Sequence, residues 1–207
     1  GINGVVIRMN MMRFTTMKTK LRKYPSIFLI LLLAISSCFL TGCVNQHPKD
    51  SKKSSQGESV ETMLEITDPK EKQAVLNAKA KVKALSGNPR IVATSPAVAD
   101  ICDKLDLDLV GVPKSSVSKI PSRYKKVKKV GLAMSPDMEI VSSLNPDWIL
   151  APSSLETDLK PKFEELKNTE YAFLNLRSVQ GMYRSVQELG EIFGKQQEAE
   201  KMTKEFT

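Results

Sequence analysis

Histidine is almost missing: His47 is the only one in 207 residues, and it stands in a polar stretch with nothing to bury. A buried serine or cysteine therefore has no imidazole to activate it. Cysteine is scarce too, and Cys38, Cys43 and Cys102 stand at no spacing that spells a zinc site. There is no Gly-x-Ser-x-Gly elbow, no phosphate-binding loop and no dinucleotide fingerprint with its acidic partner. The acid pairs Asp106/Asp108 and Glu164/Glu165 read as turn and solvated-helix residues. The chain is not expected to be an enzyme.

Long apolar runs are also few. The run Ile27 to Leu40 is broken by Ser36-Ser37 and is shorter than the roughly 20 residues that cross a bilayer. Ahead of it stands the basic head Met17-Lys18-Thr19-Lys20-Leu21-Arg22-Lys23, and behind it Leu40-Thr41-Gly42-Cys43, a small residue followed by a thiol. This is the pattern of a lipoprotein signal peptide. Cleavage before Cys43 and acylation of its thiol are expected, so residues 1–42 are assigned to upstream sequence and signal. Gly1 to Thr16 carry rival starts at Met9, Met11 and Met12, with Met17 following.

The charge of +8 suggests a polyanion binder until it is divided at Cys43. Six of the 31 basic residues (Arg8, Arg13, Lys18, Lys20, Arg22 and Lys23) and no acids precede it, which leaves 25 bases against 23 acids, or +2. Nucleic acid is not an expected partner. Cys38 leaves with the signal and Cys43 carries lipid, so Cys102 has no disulfide partner and is expected in the core.

Residues 43–60 have the composition of a flexible tether. Residues 61–87 read as a peripheral helical segment, with a helix over 69–86 that stops at Ser86-Gly87-Asn88-Pro89. From Arg90 onward, strand-like runs (91–94, 107–112, 126–130, 148–151 and 171–176) alternate with helical ones (96–105, 136–144, 155–167 and 179–193). That order predicts an α/β fold with a mainly parallel sheet and flanking helices. Ser95-Pro96 and Ser135-Pro136 look like paired helix starts, and Val98, Ile101, Cys102 and Leu105 share one face.

Parallel strands place the loops that follow them at one edge, where open α/β sheets bind ligands. Ser95, Lys114-Ser115-Ser116, Gly131 to Ser135, Pro152-Ser153-Ser154 and Arg177-Ser178 should gather there. Helix starts at Ser95 and Ser135 offer amides to an anion, and Lys114 and Arg177 offer charge; the serines also suffice as plain caps. The run Arg123, Lys125, Lys126, Lys128 and Lys129 is read as an exposed edge or loop, or as a face for an acidic partner or an anionic membrane.

Three stretches carry a resemblance to a known family. Arg90 to Ser95, Leu105 to Gly111, and Pro136 to Val141 with Leu144 to Leu150 resemble the first lobe of class III substrate-binding lipoproteins of ABC importers, over about residues 88–207. Ile120-Pro121-Ser122-Arg123-Tyr124 and Val130 to Pro136 are most similar to IsdE-type haem receptors of Gram-positive bacteria. The resemblance implies that Met134 is an axial ligand of haem iron, opposite a histidine from a second lobe. A thioether suits haem iron, and Met with His is a known axial pair.

It further implies that Ser95, Ala97, Ser115 and Ser116 hold the haem propionates, while Pro96, lacking an N–H, cannot donate. Glu139 matches a glutamate that docks on the ABC permease; an acid in a helix's first turn is also what the helix dipole favours. The implied function is a lipid-anchored receptor on the extracytoplasmic face, which delivers haem to an ABC importer and has a surface haem donor as a further partner. The alternatives are a receptor for a siderophore or corrinoid, and a surface lipoprotein serving as a partner platform. Residues 88–194 are assigned to the amino-terminal lobe and 195–207 to the start of an interlobe helix. The second lobe is absent from the chain, so a haem cleft that does not close and a trailing helix with an exposed face are expected.

Overall fold

A computed structural model describes residues 5–8 and 68–205. The leader run, Cys43 and the tether lie outside the described residues. Among those described, no helix is long and apolar enough to cross a membrane.

Eight strands are described: β1 (Val5–Arg8), β2 (Ile91–Ala93), β3 (Gly111–Val112), β4 (Lys128–Lys129), β5 (Gly131–Leu132), β6 (Ser135–Pro136), β7 (Trp148–Pro152) and β8 (Glu170–Leu174). Six of them form one sheet in the order β1-β8-β7-β2-β3-β4, and β5 and β6 form a separate hairpin. Every pairing from β8 through β4 is parallel, as expected. Strand β1 differs: Val5 to Arg8, assigned by sequence to the region upstream of cleavage, pair antiparallel with β8, Val5 opposite Leu174. A Val-Val-Ile run has the β-branched character that an open sheet edge accepts.

The helices are α1 (Pro69–Lys83), α2 (Pro96–Lys104), α3 (Met138–Ser143), α4 (Glu156–Glu164), α5 (Val179–Phe193) and α6 (Gln196–Lys204). They cover both faces of the sheet, and the pleat divides the core between them. Ile91, Ala93, Trp148, Leu150, Ala172 and Leu174 face one side and pack with Val75, Val98, Cys102, Val186, Leu189 and Met202 of α1, α2, α5 and α6. Val92, Ile149, Ala151, Tyr171 and Phe173 face the other and pack with Val141, Leu159 and Phe163 of α3 and α4. Phe163 stacks on Phe173 at 5.7 Å, and Trp148 meets Phe193 edge-on at 5.7 Å.

Helix α1 is less peripheral than its composition suggests. Val75 and Ala78 are buried, and Lys79 and Lys81 pair with Glu191 and Glu170. Helix α6 likewise buries Ala199, Met202 and Thr203, while Gln197, Glu200, Lys201 and Lys204 form an exposed face. Gly194, at φ 70°, ends α5 and lets α6 fold back, so close that a Cβ on Gly190 would lie 2.7 Å from the Ala199 Cβ.

The strand expected over 107–112 shrinks to Gly111–Val112. Asp106 takes a left-handed φ of 53°, the Leu107 amide returns to the Cys102 carbonyl, and the Leu107 carbonyl accepts from the buried Tyr124 hydroxyl. With both its backbone groups committed, Leu107 cannot join a ladder. Cys102 is fully buried, as expected, and burial pushes its thiol up to about 12.

Gly111 sits where three side chains converge. A Cβ there would lie 2.8 Å from Val130 Cγ1 and 3.0 Å from both Leu144 Cδ1 and Val92 Cγ2. Gly111→Ala should lose about 1–3 kcal/mol through overpacking, read as a lower urea midpoint. Gly87→Ala, with nothing within 4 Å of the added atom, should leave the midpoint nearly unchanged.

Candidate functional site

The carboxyl ends of five parallel strands form one edge of the sheet, and the expected loops do meet there. Strand β2 runs into Thr94 and Ser95. Thr94 continues the ladder through its amide to the Leu150 carbonyl at 3.0 Å. Ser95 is buried and caps α2, accepting from the Val98 amide at 3.3 Å. Pro96 has no N–H, so Ala97, which is exposed, carries the first amide of the helix without an intrahelical acceptor.

After β3 the chain passes buried Pro113 to Lys114 and Ser115. The Lys114 amide donates to the Gly131 carbonyl at 2.7 Å, which ties this loop to the one carrying Met134. The Ser115 hydroxyl accepts from the Ser118 amide at 3.0 Å and turns the chain. Ser116 is exposed.

Met134 stands in the two-residue turn of the β5–β6 hairpin, between the paired Leu132 and Ser135, and its side chain is 73% exposed. Gly131 launches the hairpin at φ 99°, where a Cβ would lie 3.0 Å from the Asp137 amide nitrogen. That amide donates to the Val130 carbonyl at 2.7 Å and closes the hairpin's base.

Here the structure corrects the sequence reading. Ser135-Pro136 is strand, and the cap of α3 is Asp137, whose Oδ1 takes the Glu139 and Ile140 amides, each at 3.1 Å. A carboxylate two residues later outcompetes the serine because it can accept both orphan amides at once. The α3 start therefore offers no free amides at Ser135. Glu139 is exposed in the first turn.

The remaining rim loops are Ser153-Ser154 after β7 and Arg177-Ser178 after β8. Ser178 caps α5 by accepting from the Gly181 amide at 3.0 Å. Lys114 and Arg177 are exposed, and among the described residues no ion pair occupies either.

What sequence reasoning missed is the apolar part of the rim. Of the five large apolar side chains exposed among the described residues, four lie here: Met134, Val117 at 96%, Leu132 at 56% and Val179 at 61%. Val117 was detectable as a lone apolar residue in Ser115-Ser116-Val117-Ser118-Lys119. Leu132 was not, because a two-residue strand carries no period.

At the opposite end of the sheet, charge fixes the base of the β3–β4 loop. Arg123 donates to Asp106 at 3.0 Å and Asp108 at 2.8 Å, and Lys195 reaches Asp106 at 3.0 Å. These bonds from Lys195 and Arg123 hold the Asp106 carboxyl below its usual range. Burial pushes the neighbouring Tyr124 phenol up.

Against known proteins, a family profile described as periplasmic binding protein matches residues 91–207. The high-affinity heme uptake system protein IsdE of Staphylococcus aureus is 36% identical over 117 residues, which cover 56% of this chain and 39% of that protein. The chain thus spans about two fifths of that relative. Among solved structures, an ABC transporter substrate-binding protein from Listeria monocytogenes is similar at 44% identity and a TM-score of 0.56, over 58% of this chain and 46% of that one. S. aureus IsdE complexed with heme follows at 34% and 0.54, over 57% and 45%. The siderophore-binding protein BauB, bound to acinetobactin and ferric iron, gives 25% and 0.50, over 58% and 45%. These are names of binding proteins, not of enzymes.

Variants at Asp137 and Asp106 test the geometry. Asp137→Ala should cost about 1 kcal/mol by releasing both α3 amides, and Asp137→Asn markedly less, measured by urea denaturation. The Asp106 carboxyl, lowered in the fold, stabilises above its unfolded pKa of about 3.9 and loses that contribution as pH falls through the folded value. Asp106→Asn, which tolerates the left-handed backbone, should therefore be less stable than the parent at neutral pH. It should also lose less stability between neutral pH and about pH 3.

Proposed function

Because the chain belongs to the periplasmic binding protein family, we propose that it is the ligand-binding first lobe of a membrane-anchored receptor that takes haem and delivers it to an ABC importer. The observation that carries the reading is the composition of the rim. Three exposed apolar side chains, Leu132, Met134 and Val179, share one edge with two exposed cations, Lys114 and Arg177, that pair with no acid among the described residues. An apolar surface edged by cations fits a flat hydrophobic molecule that carries carboxylates.

In this reading Met134 offers its thioether to the haem iron from the tip of the hairpin, where nothing buries it. Ser95 and Ser115 each accept a backbone N–H through the hydroxyl oxygen, so the hydroxyl protons remain to be donated to propionates. The Ala97 amide and the exposed Ser116 add donors beside them. Exposed Glu139 is the docking contact for the permease, and a surface haem donor is the supplier. Lipidation of Cys43 holds the receptor on the outer face of the membrane. Likeness to IsdE, in sequence and in its haem-bound structure, supports haem as the ligand.

A second reading is a ferric siderophore, favoured by the likeness to BauB and by the same cations. Titration of haemin against the 207-residue chain separates them. A saturable Soret change that weakens at least about tenfold in Met134→Ala, or roughly 1.4 kcal/mol, is expected. A ferric siderophore that binds while haemin gives no Soret change would move the assignment to the second reading. A chain that responds to neither would sink both.

A further inference from the structure

Beside the rim, the last strand of the sheet carries a charge the proposed ligand does not use. Lys125, Lys126, Lys128 and Lys129 are all exposed, and none forms an ion pair among the described residues. Lys129 reaches only the Tyr124 carbonyl, at 3.5 Å. Some lysines elsewhere are paired, as Lys79 with Glu191 and Lys160 with Glu164, but at no other place in the sequence do four lysines fall within five residues. The nearby acids are already committed: Asp106 and Asp108 to Arg123, Asp103 to the same guanidinium at 3.9 Å, and Asp100 to Lys104 at 3.1 Å.

A groove runs alongside, lined by Val117, Lys119, Lys125 and Lys129 together with the paired acids Asp100 and Asp103. Four lysines in five residues repel one another, and while Val127 between them packs against the core, all four lysines are exposed. Lysines on an edge strand also deter pairing with another strand, which leaves an anionic surface as the fitting partner.

We propose that this lysine edge, with Val117 as its apolar contact, rests on the anionic headgroups of the membrane. A bare acidic protein surface would answer the lysines but not a valine that is 96% exposed. Basic side chains around an inserted apolar one are what a charged lipid interface accepts. The placement rests on the lipid-anchor reading in one respect. Cys43 stands only 25 residues before Asp68, so acylation there would tether the lobe beside the headgroups.

The test is cosedimentation of the full chain with vesicles of phosphatidylglycerol in phosphatidylcholine, against phosphatidylcholine alone. The quadruple variant Lys125→Glu, Lys126→Glu, Lys128→Glu, Lys129→Glu should bind the anionic vesicles about tenfold more weakly than the parent, and raised salt should narrow the gap. A charge-matched variant, Lys70→Glu, Lys72→Glu, Lys83→Glu, Lys167→Glu, should bind like the parent. The leader is identical in all three chains, so its own affinity cancels in the comparison. Equal binding by the edge variant and the parent would overturn the proposal, as would an equal loss in the matched variant. Retention of polyglutamate in place of vesicles would overturn it in favour of an acidic protein. Haemin titration of the edge variant is a separate readout, so failure of the haem reading and failure of this one are distinguishable.

Discussion

In a parallel sheet every strand must deliver its carboxyl end to the same side, and the rest of this molecule follows from that constraint. The pairings of β2 with β7 and β3 hold the chain in this order between two apolar clusters, one on each face of the sheet. Burial of Trp148, Ile149 and Leu150 on both faces of one strand fixes the register, because a slip of one residue would send each side chain to the wrong layer. The loops have no freedom to be elsewhere. Ser95, Ser115 and Met134, far apart in sequence, become neighbours on one edge because the strands before them are parallel.

Much of this could be read from the residues. The strands β2, β7 and β8 were visible as apolar β-branched and aromatic runs, and α5 lies where the helical period placed it. What could not be read was local and electrostatic. The β5–β6 hairpin is made of two-residue strands, too short for any period, and depends on Gly131 at a positive φ. Ser135-Pro136 has the look of a helix start, yet Asp137 prevails because a carboxylate can accept two amides. The 107–109 stretch alternates like a strand but spends its hydrogen bonds on Cys102 and Tyr124 instead.

Family likeness and physical reading meet at the rim from different directions. The likeness names a class of ligands; the rim supplies exposed apolar side chains, serine hydroxyls with protons to give, and unneutralised cations. Neither depends on the other. Strand β4, with Lys128 and Lys129, leads directly through Val130 into β5 and so into the Met134 hairpin. A membrane contact there would also orient the ligand-bearing loops.

The Asp106 carboxylate, shared by Arg123 and Lys195, lies at the end of the sheet remote from those loops. One charge there clasps three distant parts of the chain: the turn after α2, the foot of the β3–β4 loop, and the joint between α5 and α6. Exposed rim side chains that cap no helix take no part in that clasp. Substitutions at exposed rim positions such as Leu132 or Ser116 can accumulate without loosening the clasp, so the surface of a lobe built this way can change over evolutionary time while its architecture is kept.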